Sequence, residues 1–287
     1  MQKEVKKSWA LFLGIGTMMI AHGLQMQIMG IRSVLEEFSV LTTGIFMSGY
    51  YVGYFIGSKT TPNLVQKVGH IRVFAAFASL ASLSALVAVA YVNPFMWTIS
   101  RFITGISLVS CYVVSESWLN DRATNKNRGQ LLSAYMIVIY IGLALGMLLL
   151  NISEPKAYEP FILVSVLLSL ALVPILLTKR PAPKFKKIGT ISIKELYEIS
   201  PLGTVSSFAT GAIHAAFFSL ISVYATKAGF TLFETSILLF IATISGVIGQ
   251  GPIGYFSDIY DRRKVIVVTT FAGSALAFLS ILSSSDP

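Results

Sequence analysis

Arg101 interrupts the apolar stretch M-W-T-I-S-R-F-I-T-G-I. A guanidinium in the middle of a membrane-crossing helix costs at least ~2.5–3.5 kcal/mol, so it needs water, an anion or a partner. One reading places it on a wet pathway, holding an anion or taking part in proton coupling. The other leaves it near the outer helix end, snorkelling or bonded to carbonyls of the next helix. Gly105, four residues on, would let a neighbouring helix approach closely. His22 and His214 also lie inside apolar runs. Each has a polar neighbour one turn away, Gln25 after His22 and Thr210 before His214. Imidazoles change charge near neutral pH, which suits solute binding or proton coupling. The alternative is a neutral histidine hydrogen-bonded within a packed helix pair. Glu116 and Asp121, close in sequence to Arg122 and Arg128, fit an ion network at headgroup level.

Other chemistries find no residues to carry them. Cys111 is the only cysteine, and a lone thiol in an apolar helix is usually a packing residue. No Cys/His set has metal-ligand spacing, and no nucleophile–base pair emerges. Gly14 and Gly16 form G-x-G within a hydrophobic helix, without the strand–turn–helix setting of a phosphate loop. The expectation is a protein with no cofactor, no metal and no enzymatic activity.

The elements that must hold these residues are apolar helices. Hydrophobic residues make up 54% of the 287 positions and charged ones 12%, about half the charged share of a soluble domain. Apolar runs near membrane-crossing length fall at about 9–29, 41–58, 73–92, 95–117, 130–151, 159–178, 202–225, 235–256 and 265–282. The first is too long for a signal-peptide core and lacks a clear cleavage site, so it is read as an uncleaved span. Lysines and arginines fall almost wholly in alternate connections, with only Arg32, Lys156 and Lys227 on the other side. That asymmetry places the N-terminus in the cytoplasm. The net charge of +9 thus reports topology and attraction to the lipid bilayer, not nucleic acid.

The chain also repeats itself. At an offset of 192 positions Phe38 falls on Phe230, Thr43 on Thr235, Gly57 on Gly249 and His22 on His214. Internal repeats of membrane-length segments are characteristic of secondary transporters. Residues 179–201 form the one long polar connection, rich in lysine, with a short amphipathic stretch suited to the membrane surface. Three parts follow: a six-helix half over 1–178, a basic cytoplasmic linker with a surface helix over 179–201, and an incomplete half, spans seven to nine, over 202–287.

The span order, the six-helix repeat and the basic middle loop resemble the major facilitator superfamily. The segments R-F-I-T-G at 101–105 and E-S-W-L-N-D-R-A-T-N at 116–125, with Arg128-Gly129, resemble its YcaD-like bacterial branch. The charged hairpin after the eighth run matches the family's G-x-x-x-D-x-x-G-R-R pattern at Gly254, Asp258, Arg262 and Arg263, with Asp261 where the second glycine usually stands. The copy after the second run keeps Gly69, Lys67 and Arg72 but has Pro62 and Gln66 in place of the glycine and aspartate. The resemblance implies an all-α membrane bundle, a multi-pass protein of the bacterial inner (plasma) membrane, moving a small-molecule solute by alternating access, with or without a coupling proton. It implies that the hairpins and the Glu116–Arg128 segment latch the inner gate, Asp258 bracing the fifth span. The family normally has twelve spans, so the nine here also fit a transport-inactive truncated product or membrane scaffold. Self-association or a three-helix complement would then fill the gap.

Overall fold

The computed structural model describes residues 8–124, 128–178 and 192–283, although the side chain of Asp258 lies outside that description, as does most of the basic linker. Every regular element among the described residues is helical. In order these are α1 (Trp9–Leu35), α2 (Val40–Val68), α3 (His70–Ala90), α4 (Pro94–Arg122), α5 (Arg128–Leu148, ending in a short 3-10 turn at Leu149–Asn151), α6 (Glu159–Leu170), α7 (Leu172–Leu176), α8 (Ile193–Ile199), α9 (Pro201–Lys227), α10 (Leu232–Ile259) and α11 (Arg262–Ser283). Seven segments among the described residues have the length and apolarity to cross a membrane, α6 and α7 counting as one. Of the nine runs expected from the sequence, the two not among these seven are α2, whose glycines and tyrosines dilute its apolar run, and α11.

Local chemistry sets the helix starts. Ser39 accepts the Thr42 amide at 3.0 Å, and Asn93, just before Pro94, accepts that of Met96 at 2.9 Å. Ser192 and Glu195 form a reciprocal capping box at α8, and the two hydrogen bonds from Ser192 hold the Glu195 carboxyl below its usual range. Thr231 and Glu234 pair in the same manner at α10. Each side chain satisfies a backbone N–H that the first helical turn leaves open.

The 192-residue repeat is present in backbone detail. After α1 the amides of Glu36, Glu37 and Phe38 donate to the carbonyls of Arg32, Val34 and Ser33. After α9 the amides of Ala228, Gly229 and Phe230 donate to those of Tyr224, Thr226 and Ala225. Each group lies 192 positions beyond its counterpart. Both turns pass through the left-handed region, with φ of 60° at Glu37 and 82° at Gly229. Gly30 and Ser222, also 192 apart, meet directly, since a β-carbon on Gly30 would strike the Ser222 hydroxyl.

The chain divides into two compact units, Met1–Ile241 and Ala242–Pro287, and α10 passes from one into the other. Within the first, α2 lies along α4, α1 along α5 and α6, α3 against α4 and α6, and α9 against α1. Polarity is arranged inside out. Gln25, Gln27, Ser84, Ser100, Arg101 and Thr104 are buried, whereas Ile137, Ile141 and Leu145, one turn apart on α5, are exposed. A water-soluble fold would invert that arrangement; a bilayer rewards it. The second unit holds the rest of α10 and the whole of α11.

Both expected hairpins are shorter than the apolar runs suggested. α2 continues through Pro62 to Val68 and meets α3 at Gly69, whose φ of 87° makes the joint. α10 likewise continues through Pro252 to Ile259. Gln66 and Gly254 are therefore helical and exposed, and Arg72, Arg262 and Arg263 are exposed in the first turns that follow. Where the first copy uses a glycine, the second uses a cap: Asp261 accepts the Arg263 amide at 2.8 Å. Ending one helix and starting the next can be done by either device, which accounts for Asp261 in place of glycine.

Candidate functional site

Glycines bring the site-bearing helices together. On α2, β-carbons at Gly49 and Gly53 would strike the carbonyl oxygens of Thr98 and Phe102 of α4, and one at Gly57 the Val109 side chain. From the other side, a β-carbon at Gly105 would strike the Tyr50 carbonyl oxygen. α1 and α5 are joined in the same way: Gly142 lies 2.8 Å by that measure from the Gly16 carbonyl, while Gly146 faces that of Ile20 and Gly23 that of Leu143. Backbones in direct contact leave little room for sliding, so side chains next to these joints are held at fixed heights.

Tyr50, Arg101 and His22 are placed by these joints. The Arg101 guanidinium carbon lies 4.8 Å from the centre of the Tyr50 ring. The His22 imidazole stacks on the same ring at 5.3 Å with an 18° interplanar angle. Arg101 has no solvent-exposed surface, and His22 and Tyr50 are nearly as enclosed. None of the three guanidinium nitrogens has a hydrogen-bond acceptor, and the Nδ1 of His22 has no partner. Arg101 thus neither snorkels to an interface nor bonds a neighbouring carbonyl. Arg32 shows the contrast: it pairs with Glu36 at 3.2 Å, donates to the Ala157 carbonyl at 3.3 Å and lies over Phe161 at 5.6 Å.

A chain of neutral polar groups lies one turn along. Gln25 donates to the Thr104 hydroxyl at 3.4 Å, Thr104 and Ser84 hydroxyls are 2.8 Å apart, and Ser100 donates to the Ser84 carbonyl at 2.7 Å. Phenol rings extend from the other side of Tyr50. Tyr51 lies edge-on at 5.1 Å and donates weakly to Ala215 of α9 at 3.5 Å. Tyr54 follows at 6.1 Å and Tyr112 at 6.4 Å beyond it, with the Tyr112 hydroxyl on the Met19 sulfur at 2.9 Å. Among the described residues no group of three metal-binding side chains occurs.

The remaining expected site residues are scattered. His214 and Thr210 are exposed, and His214 packs on Phe218 at 4.4 Å, not on His22. The buried residues of α9 are Ser219, Ser222, Val223 and Ala225, so only its C-terminal half packs inward and the turn bearing His214 stays outside. Glu116, Asp121 and Arg128 are exposed, and neither carboxylate joins an ion pair among the described residues. Arg122 lies over Trp118 at 5.5 Å. The bracing expected of Asp258 falls on a side chain outside the description. Tyr50 is not among the residues that the sequence singles out. The signal was there in G-Y-Y-V-G-Y-F-I-G, where glycines at four-residue spacing flank the tyrosines.

The sequence pattern of the Major Facilitator Superfamily matches residues 11–286. The MFS-type transporter YcaD of Escherichia fergusonii is 25% identical over 238 residues, covering 82% of this chain and 62% of its own length. The chain thus spans less than two thirds of that relative. Among solved structures, a mutant of the nucleoside transporter NupG superposes with a TM-score of 0.72 at 13% identity, over 88% of this chain and 68% of the other. A D-xylose–proton symporter gives 0.63 at 14%, over 88% and 69%. At those identities the likeness concerns the fold: a multi-pass helical membrane bundle built as the sequence reading expected. With the superfamily pattern running over nearly its whole length, this chain belongs to the Major Facilitator Superfamily.

Proposed function

We propose that the chain works as a secondary transporter, binding a small solute at the His22–Tyr50–Arg101 cluster and exposing it to each side of the membrane in turn. The observation that carries this reading is Arg101, a fully buried guanidinium without an acceptor inside a transporter-family fold. A charge left unpaired in that environment is costly and is kept where it has a task. The cluster is sealed from solvent, so entry requires helices to move apart, as alternating access demands. The N-terminus lies in the cytoplasm of a bacterial inner-membrane protein, supported by the basic asymmetry. Residues 1–178 act as one bundle, 179–201 as the linker, and 202–287 as part of the second bundle. The joints at Gly69 and Asp261, with Arg72, Arg262 and Arg263, serve as inner latches.

Solute uptake and efflux are profiled in cells with and without the chain, with membrane insertion checked in parallel. The expected outcome is a small solute whose flux depends on the chain and returns to background in Arg101→Met. An inserted chain that alters no flux overturns the reading.

A further inference from the structure

We infer that the solute is a small organic monoanion whose single carboxylate is received by Arg101, an inference resting on the transport reading above. The side chain supplies one positive charge and five N–H donors in a flat fork, a shape that matches two carboxylate oxygens. All its nitrogens lack an acceptor. No described carboxylate pairs with it, and among the described residues the ring that it lies over is Tyr50, whose face attracts the cation without using the donors. The donors therefore stay available in the plane of the fork. A neutral solute would bring acceptors but leave the charge unbalanced, and a cationic one would add a second buried charge. A multiply charged anion would exceed the single guanidinium that the described residues place in the cluster. His22 stacked on Tyr50, with its Nδ1 unpartnered, offers an aromatic surface and one further hydrogen bond to the rest of the solute. Together these describe a carboxylate anchor beside a flat, partly polar wall.

The same geometry separates a binding role from a structural one. An arginine that holds helices together is destabilising to remove. One that waits unpaired for an anion should leave the empty protein more stable when replaced by an apolar side chain of similar reach.

The test uses the purified 287-residue chain in detergent, with thermal unfolding followed by intrinsic fluorescence. The probes are matched in shape and differ in charge: benzoate, benzamide and benzylamine, then lactate and lactamide, with inorganic phosphate as the multiply charged control. Carboxylates should raise the midpoint saturably, with half-saturation about tenfold or more below their amides. The shift should vanish in Arg101→Met and Arg101→Gln and weaken in Arg101→Lys, while the unliganded Arg101→Met midpoint should rise. Equal responses to amide and acid, a preference for the amine or phosphate, or a carboxylate shift that survives in Arg101→Met each overturn the anion assignment and leave the solute site standing. A lower midpoint in unliganded Arg101→Met makes the arginine structural and overturns it as well. No response from any probe also overturns it, and chain-dependent flux of a neutral solute would then leave the transport reading intact.

Discussion

A β-carbon on Gly105 of α4 would lie 2.8 Å from the carbonyl carbon of Tyr50 and 3.0 Å from its Cα, closer than packed atoms allow. This joint, one turn from Arg101, is what places the Tyr50 ring beneath the guanidinium. Gly105→Ala should push α2 and α4 apart and cost about 1–3 kcal/mol, as overpacking in a tight core does. It should also weaken the response to solute. Gly44 of α2 has open space around its added β-carbon, so Gly44→Ala should stabilise by about 0.5–1 kcal/mol, the usual gain in a helix interior. Thermal unfolding of the two variants checks the opposite signs; a neutral Gly105→Ala would remove the joint from the argument.

Arg101, Gly105 and the apolar runs were legible in the sequence because burial of a charge and the length of a span are local properties of the chain. The repeat was legible as well, and reappears bond for bond in the turns after α1 and α9. What could not be read was the face each helix turns inward. His22 and His214 occupy equivalent repeat positions, yet one is buried and the other exposed, because α9 packs inward only near its C-terminal end. Tyr50 was missed for a related reason: a tyrosine looks the same in sequence whether it meets lipid or an arginine, and only the facing helix decides. The hairpins are shorter than the apolar runs imply because α2 and α10 stay helical past those runs, through polar and charged residues.

Tyr50 offers its ring face to Arg101, and that attraction needs the ring, not the hydroxyl. Tyr50→Phe should keep solute affinity close to the parent value. Tyr50→Leu should lose about 2- to 30-fold, the range expected of a desolvated cation–π contact worth ~0.5–2 kcal/mol. Titration of the midpoint shift with benzoate measures both, and equal losses in the two variants would show that the phenol hydroxyl matters instead.

Orientation can be checked with one residue from each side of the bilayer. Gln66 lies between Lys59 and Lys67, where the basic asymmetry expects cytoplasm, and is exposed. Glu154 is exposed in the opposite connection, close to where the outer-side Arg32 bonds Ala157. In a Cys111→Ala background, Glu154→Cys should react with an impermeant thiol reagent in intact cells, and Gln66→Cys only after the membrane is opened. The reverse pattern would invert the topology.

The turns after α1 and α9 pose the same backbone problem to different residues. Gly229 takes its φ of 82° at no steric cost, while Glu37 takes 60° with a β-carbon pressed toward the carbonyl that follows. Glu37 is exposed, and the adjacent ion pair belongs to Glu36 and Arg32. Glu37→Gly should therefore relieve strain without removing a contact and stabilise the chain by about 1 kcal/mol. Gly229→Ala introduces the strain that Glu37 carries and should destabilise by a similar amount. In Glu37→Gly the two turns become alike, so a subsequent Gly229→Ala should cost the same as it does in the parent, the two positions sharing no described hydrogen bond or ion pair. Thermal unfolding of the parent, the two single variants and the double variant measures all three differences. A Glu37→Gly variant less stable than the parent would mean that the glutamate side chain, not its backbone, holds that turn.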